Sequence, residues 1–261
     1  NFYSYRDSIN YNDEQFKDYF PFYNFLIPHF DNLALKGYFE TTEDSILNRN
    51  SINYNLNKLE LMDSLVTSEV IKNNLFKYAT RNYLSKANTL EDCEIMYESF
   101  IKKSSNKEYN EQISSLLETL RKLQPGNRIP EVEILNFRNE VENLTSKIEN
   151  PTVFFFWTKA IQNHFINSHK KVERLKNEHP NIEFVSININ SGSYPIWKRL
   201  ILQNNFPLEN EYRFRNPDFA KKVLAIHYIN KVMVVDENKR IVSSNASLFS
   251  KDFKELLNQI E

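Results

Sequence analysis

The sequence predicts two architectures in series: an all-α first half, then an α/β half with a central mixed sheet flanked by helices. Three observations carry this reading. Val153 to Trp157 is an unbroken apolar run, as in a strand covered on both faces. From Phe165 the period changes, with Phe165, His169, Val172 and Leu175 at helical spacing and Lys170, Lys171, Glu173 and Arg174 facing away. Pro125-Gly126 stops the last of a series of amphipathic helices, and strand patterns begin only after it. The expected domains are therefore 1–125, helical with an aromatic-rich leader, and 126–261.

Bulk properties exclude several function classes. The chain has 261 residues, 41% of them hydrophobic, enough for two modest domains. A net charge of −1, with −4 on residues 1–125 and +3 on 126–261, gives no whole-chain attraction to nucleic acid or an acidic membrane. The only glycines are Gly37, Gly126 and Gly192, too few for a Gly-rich phosphate loop. No run of apolar residues is long enough to span a bilayer. The single cysteine, Cys93, has no internal disulfide partner and reads as a small apolar filler in a helix. The sequence begins at Asn1 rather than Met, as a processed or trimmed product would, and any signal peptide or lipid-anchoring cysteine would lie upstream.

Residues 2–39 are dense in aromatics, among them Phe2, Tyr3, Tyr5, Phe16, Tyr19, Phe20, Tyr23, Phe25, Phe30, Tyr38 and Phe39. Phe16, Tyr19, Phe20 and Tyr23 have helical spacing, and Pro21 and Pro28 are expected to end or bend that helix. The aromatics are either the core of a helical layer or an anchor for a partner. Thr41-x-x-Asp44 and Thr89-x-x-Asp92 resemble capping boxes, and Ser68 or Thr67 is placed to cap the helix bearing Val70, Ile71, Leu75, Tyr78 and Ala79. Ile95, Met96, Phe100 and Ile101 mark the next helix, and Ile113, Leu116, Leu117, Leu120 and Leu123 the last.

In the second half, Pro130 to Phe137 alternates like an edge strand. The Thr152–Trp157 strand and a helix to His179 follow, then a buried strand from Ile182 to Ile189, expected parallel to the first. Tyr194–Leu202 and Pro217–Leu224 read as helices. Lys231–Asp236 and Arg240–Val242 read as a hairpin, and Phe249–Ile260 as a closing helix.

Phe156-Trp157 running into a helix resembles the active-site turn of the thioredoxin superfamily, in particular the TlpA/ResA-like two-domain envelope proteins of Bacteroidota. In that family the Phe-Trp pair is followed by three residues and then Cys-x-x-Cys. The four matching positions here are Ile161, Gln162, Asn163 and His164, so both cysteines are absent. Ile229-Asn-Lys-Val-Met-Val-Val-Asp236 resembles the family's segment with a cis proline facing the cysteines; the matching residue is Asn230, for which a trans bond is expected.

What the resemblance implies is a thioredoxin-like protein that has lost its redox chemistry, which needs a stabilised thiolate and a resolving thiol. Its vacated cleft would be bounded by Trp157, Thr158, Ile161, Gln162, Asn163, His164, Ile229 and Asn230. It would serve as a binding or assembly component on the periplasmic side of the envelope, with a protein or peptide partner, an outer-membrane complex being one such setting. Neither cofactor nor metal nor nucleic acid is expected, and contact with membrane only through an upstream lipid anchor. The alternative is a thiol-disulfide oxidoreductase-related enzyme with non-standard chemistry, through Cys93 or through His164 and His227. His169, on the apolar face of its helix, reads as a core histidine.

Overall fold

A computed structural model describes residues 9–41, 46–87, 89–192 and 194–261. Phe2, Tyr3, Tyr5, Asp44 and Ser193 lie outside these residues. The chain divides into two compact units, Asn1–Glu118 and Thr119–Glu261.

The first unit is helical: α1 (Phe20–Thr41), α2 (Ile52–Leu65), α3 (Glu69–Leu84), α4 (Leu90–Lys103) and α5, which starts at Lys107 and runs to Lys122. α1 buries one stripe at four-residue intervals, Leu26, Phe30, Ala34 and Tyr38. Pro21 falls in its first turn, where no amide hydrogen bond is lost, but Pro28 lies inside the helix and does not end it. Phe16 belongs to a separate 3-10 turn, Glu14–Phe16, outside α1. α2 answers with Tyr54, Leu59 and Met62, and its buried Lys58 meets Asp31 of α1 at 2.8 Å. Gly37 marks a close approach of these helices, since a Cβ there would lie 2.5 Å from Asn57 Nδ2.

Thr89 caps α4, its hydroxyl accepting from the Asp92 amide at 3.1 Å. At α3 the expected cap is not formed. The Ser68 hydroxyl donates to Glu14 instead, and Asn12 Oδ1 accepts from the Thr67 and Ser68 amides. Val70, Tyr78 and Ile95, expected on buried faces, are exposed, while Ile71, Leu75, Ala79, Met96 and Phe100 form the core. The leader aromatics divide: Phe30 and Tyr38 are buried, whereas Phe16, Tyr19, Phe20, Phe25 and Phe39 are exposed.

The second unit is built on seven strands: β1 (Glu133–Leu135), β2 (Val141–Asn143), β3 (Thr152–Trp157), β4 (Glu183–Asn188), β5 (Glu211–Phe214), β6 (Val232–Val235) and β7 (Ile241–Ala246). Their order across the sheet is β2-β1-β5-β4-β3-β6-β7. β3, β4 and β5 are parallel; β6 runs antiparallel to β3, and β1 antiparallel to β5. The helices are α6 (Gln162–Glu178), α7 (Tyr194–Gln203), α8 (Pro217–Val223) and α9 (Phe253–Asn258). α9 is shorter than the Phe249–Ile260 pattern, and β7 longer than its expected three residues.

Two strands were not predicted. β2 turns back on β1, so β1 is internal rather than an edge. β5 inserts between β1 and β4. Every residue of β3 is buried, as its apolar run requires. Val153, Phe155 and Trp157 alternate onto the face covered by α6, α7 and α9, with Val172, Leu175, Ile201, Phe253 and Leu257. Phe156 faces the other way, its ring 6.0 Å from that of Phe214. Among the described residues no helix is long and apolar enough to cross a membrane.

Candidate functional site

The site expected from sequence lies where β3 gives way to α6. β3 ends at Trp157, whose indole is fully buried and packs on Phe165, ring centroids 4.3 Å apart. Trp157 is thus a floor under the turn and not a surface contact; removing its side chain would cost about 3–5 kcal/mol.

Residues 158–161 then turn into α6. Asn190, following β4, ties this turn down: its Oδ1 accepts from the Lys159 amide at 2.9 Å and from the Thr158 hydroxyl at 3.2 Å. The first residues of α6 have no acidic neighbour, and its N-cap, Ile161, supplies no side-chain cap. Ile161, Gln162 and Asn163 are exposed.

His164 is half-buried. Its Nε2 lies 3.3 Å from the Ser168 hydroxyl, its ring stands edge-on to Phe249, and its Nδ1 has no partner among the described residues. Burial, then the neighbouring His169, push its pKa below the ordinary histidine value, so it is neutral at pH 7. A neutral imidazole is no stand-in for a thiolate.

Across from this turn, β6 pairs with β3 through Phe155–Val232. Carried two residues further, that register brings Asn230 level with Trp157. Asn230 is exposed, Ile229 half-buried, and the peptide bond before Asn230 is trans. The next residue, Lys231, is buried; its Nζ donates to Ala225 O at 3.2 Å, and burial pulls its pKa down to about 7. Sequence reading missed it, because a lysine beside a strand reads as solvated. His227 lies in the half-buried segment between α8 and β6.

Cys93 sits in α4 of the other unit. It is buried, and burial, with Asp92 and Glu94 adding, pushes its thiol up to about 12. Among the described residues no three His, Cys, Asp or Glu side chains gather as metal ligands would. A buried polar group does occur nearby. His169 Nδ1 meets Phe165 O at 2.7 Å, and its Nε2 meets Glu211 at 2.9 Å and Ser186 at 3.2 Å. His169 is the core histidine expected, but Glu211 arrives on the unpredicted β5.

A parallel β3-β4-β5 core, an antiparallel β6-β7 hairpin, and a tryptophan at the strand-to-helix turn together define the architecture. The fold is thioredoxin-like. Among solved structures, the chain is similar to a thioredoxin-like protein from Bacteroides caccae, with 12% identity, coverage of 81% of this chain and 78% of that one, and a TM-score of 0.53. That coverage exceeds what the second unit alone could supply, so the likeness reaches into the helical unit. It is also similar to the thioredoxin domain of a thiol-disulfide oxidoreductase from Bacteroides vulgatus (15% identity, 53% of this chain and 99% of that one, TM-score 0.44). A third likeness is to a domain of a possible thiol-disulfide isomerase from Cytophaga hutchinsonii (20% identity, 52% and 92%, TM-score 0.43). No protein-family model and no curated protein matches the sequence. These three neighbours, from Bacteroides and Cytophaga, share the thioredoxin-like fold with this chain.

Proposed function

We propose that this protein is a thioredoxin-like binding component of a larger assembly in the cell envelope, one that no longer exchanges thiols. The observation that carries the proposal is the position of its one cysteine: Cys93 is buried in the helical unit, with a thiol pKa of about 12, while the turn of the thioredoxin-like unit holds Ile161 and His164. Exchange needs an accessible thiolate and a resolving thiol. What persists at the turn is a set of exposed residues, Ile161, Gln162 and Asn163 at the start of α6 and Asn230 beside β6, where an extended peptide could pair. The exposed aromatics Phe16, Tyr19, Phe20 and Phe25 of the first unit are a second candidate surface for a protein partner. The resemblance of the Phe156-Trp157 turn to TlpA/ResA-like envelope proteins supports a periplasmic location, with a lipid tether upstream of Asn1 as the anchoring device.

A second reading is favoured by the neighbours themselves, one described as a thiol-disulfide oxidoreductase and another as a possible thiol-disulfide isomerase: an enzyme related to them with non-standard chemistry. Dithiothreitol-coupled insulin reduction separates the two. The binding reading expects the native protein and Cys93→Ser to give the uncatalysed rate. Catalysis by the native protein would overturn it, and loss of that catalysis in Cys93→Ser would assign the thiol.

A further inference from the structure

A second feature lies beside the turn, at the carboxyl ends of β3, β4 and β5, where α/β sheets commonly hold ligands. It is a shallow crevice, open to solvent, lined by Lys159, Asn188, Asn190, Trp197 and Arg213, with Ile196 giving it an apolar wall. The strand register places Asn188 beside both Trp157 and Arg213, so these side chains share one sheet face.

Three properties of this crevice point the same way. First, its acceptors are already engaged. Asn188 Oδ1 takes the Asn190 amide at 3.1 Å, and Asn190 Oδ1 takes the Lys159 amide, the Thr158 hydroxyl and Asn188 Nδ2. Second, donors are left over. Trp197 is 3% exposed, and neither its Nε1 nor Arg213 Nε has a partner among the described residues. A buried donor left unsatisfied costs about 1–3 kcal/mol.

Third, positive charge is uncompensated. Arg213 and Lys198 both lie over the ring of Tyr194, at 5.3 and 4.4 Å from its centroid, and Arg213 Nη2 spends a hydrogen bond on the neutral Asn139. Among the described residues, none of Lys159, Lys198 and Arg213 has a carboxylate within ion-pairing reach. Elsewhere in the same unit cations do find carboxylates, as in Lys147–Glu142, Arg215–Glu133 and Lys254–Glu178. A donor-rich wall with unpaired cations is missing an anionic acceptor.

We propose that this crevice binds a carboxylate carried on a short aliphatic stem. One oxygen would sit against the wall that carries Trp197 and Arg213. The stem would lie along Ile196 at the mouth, and Lys159 on the exposed turn would supply charge from above. The carboxylate belongs either to a free small acid or to an acidic side chain of a peptide. The site does not depend on peptide capture at the neighbouring turn.

The protein has only two tryptophans, Trp157 and Trp197, so each indole N–H gives an assignable amide-region NMR signal. Sodium acetate, sodium butyrate, sodium phosphate and the peptide Ac-Gly-Gly-Glu-Gly-Gly-amide would be titrated at constant ionic strength made up with sodium chloride. The Trp197 signal should move saturably with butyrate, the Trp157 signal should not, and butyrate should bind more tightly than acetate by about fourfold per methylene. Arg213→Gln and Lys159→Gln should each weaken butyrate binding at least severalfold. If Arg213→Gln does not fold, Lys159→Glu, on an exposed turn, should abolish binding by repulsion.

Peptide binding tighter than butyrate would assign the carboxylate to a side chain; the reverse would assign it to a free acid. No saturable Trp197 shift, an equal shift with chloride alone, tighter binding of phosphate than of butyrate, or unchanged binding in Lys159→Glu would each overturn the proposal. Failure of the insulin-reduction expectation would leave it standing.

Discussion

His169 and Glu211 meet at 2.9 Å between α6 and β5, each almost wholly removed from solvent. The carbonyl of Phe165 can only accept, so His169 Nδ1 carries a hydrogen, and Nε2 faces both Glu211 and the Ser186 hydroxyl. Burial pushes the Glu211 carboxyl upward, against the opposing pull of His169 and the Ser186 hydroxyl. A folded pKa above the unfolded one means stability that is full below the usual carboxylate range and lost as pH rises through the folded value. Glu211→Gln retains a donor and cannot ionise. Urea denaturation should show the wild type losing ground to Glu211→Gln as pH is raised from about 4 to about 8. A wild type that instead gains on Glu211→Gln as pH rises would mean an ion pair.

Lys231 supplies a test of opposite sign. Its pKa falls from 10.5 to about 7 on burial, so the folded state is neutral where the unfolded chain is charged. Stability is full above 10.5 and declines as pH falls toward 7. Lys231→Met should therefore stabilise the protein, by an amount on the order of a few kcal/mol at and below neutral pH and much less at alkaline pH, where only the bond to Ala225 O is lost. Denaturation midpoints across that range would check this; a Met variant less stable at neutral pH would refute it.

Cys93 should be chemically silent in the native state. A thiol raised to about 12 and buried in α4 has a thiolate fraction at about pH 8 on the order of one in ten thousand. Modification by a disulfide reagent should follow the rate of unfolding and become immediate in denaturant. Fast modification of the folded protein would show that α4 opens locally.

Asn190→Ala should loosen the β3–α6 turn without unfolding the unit. The asparagine serves the Lys159 amide, the Thr158 hydroxyl and Asn188 at once. Its loss should cost about 1–3 kcal/mol and raise hydrogen exchange at Lys159 and Ala160 by at least tenfold while β3 stays protected. Unchanged exchange at Lys159 would show that the turn is held by its backbone alone.

Much of the α/β unit was legible because β3 is apolar from Val153 to Trp157, β4 carries Phe184, Val185 and Ile187, and the helix between them keeps a clean helical period. β5 was not legible for a physical reason. Its first residue is Glu211, and a carboxyl reads as loop unless its histidine partner, distant in sequence, is already known. β2, only three residues long and largely solvated, carries no alternation to read. In the helical unit the error lay in faces rather than elements. Val70, Tyr78 and Ile95 are as apolar as their buried neighbours, and only packing decides which side turns inward. Pro28 was read as a breaker, but the rest of α1 buries enough apolar surface to keep the helix whole.

The segment leading into the sheet has a consequence of its own. Gly126 and Ile129 donate to Ile241 O and Lys239 O, Ile241 donates back to Asn127 O, and Arg240 reaches Gly126 O. The connecting chain thereby occupies the start of the outermost strand, where bare amides and carbonyls would otherwise recruit a strand from another molecule. Proteolytic nicking near Arg128 would unzip that margin, and the cleaved protein should self-associate at concentrations where the intact chain stays monodisperse.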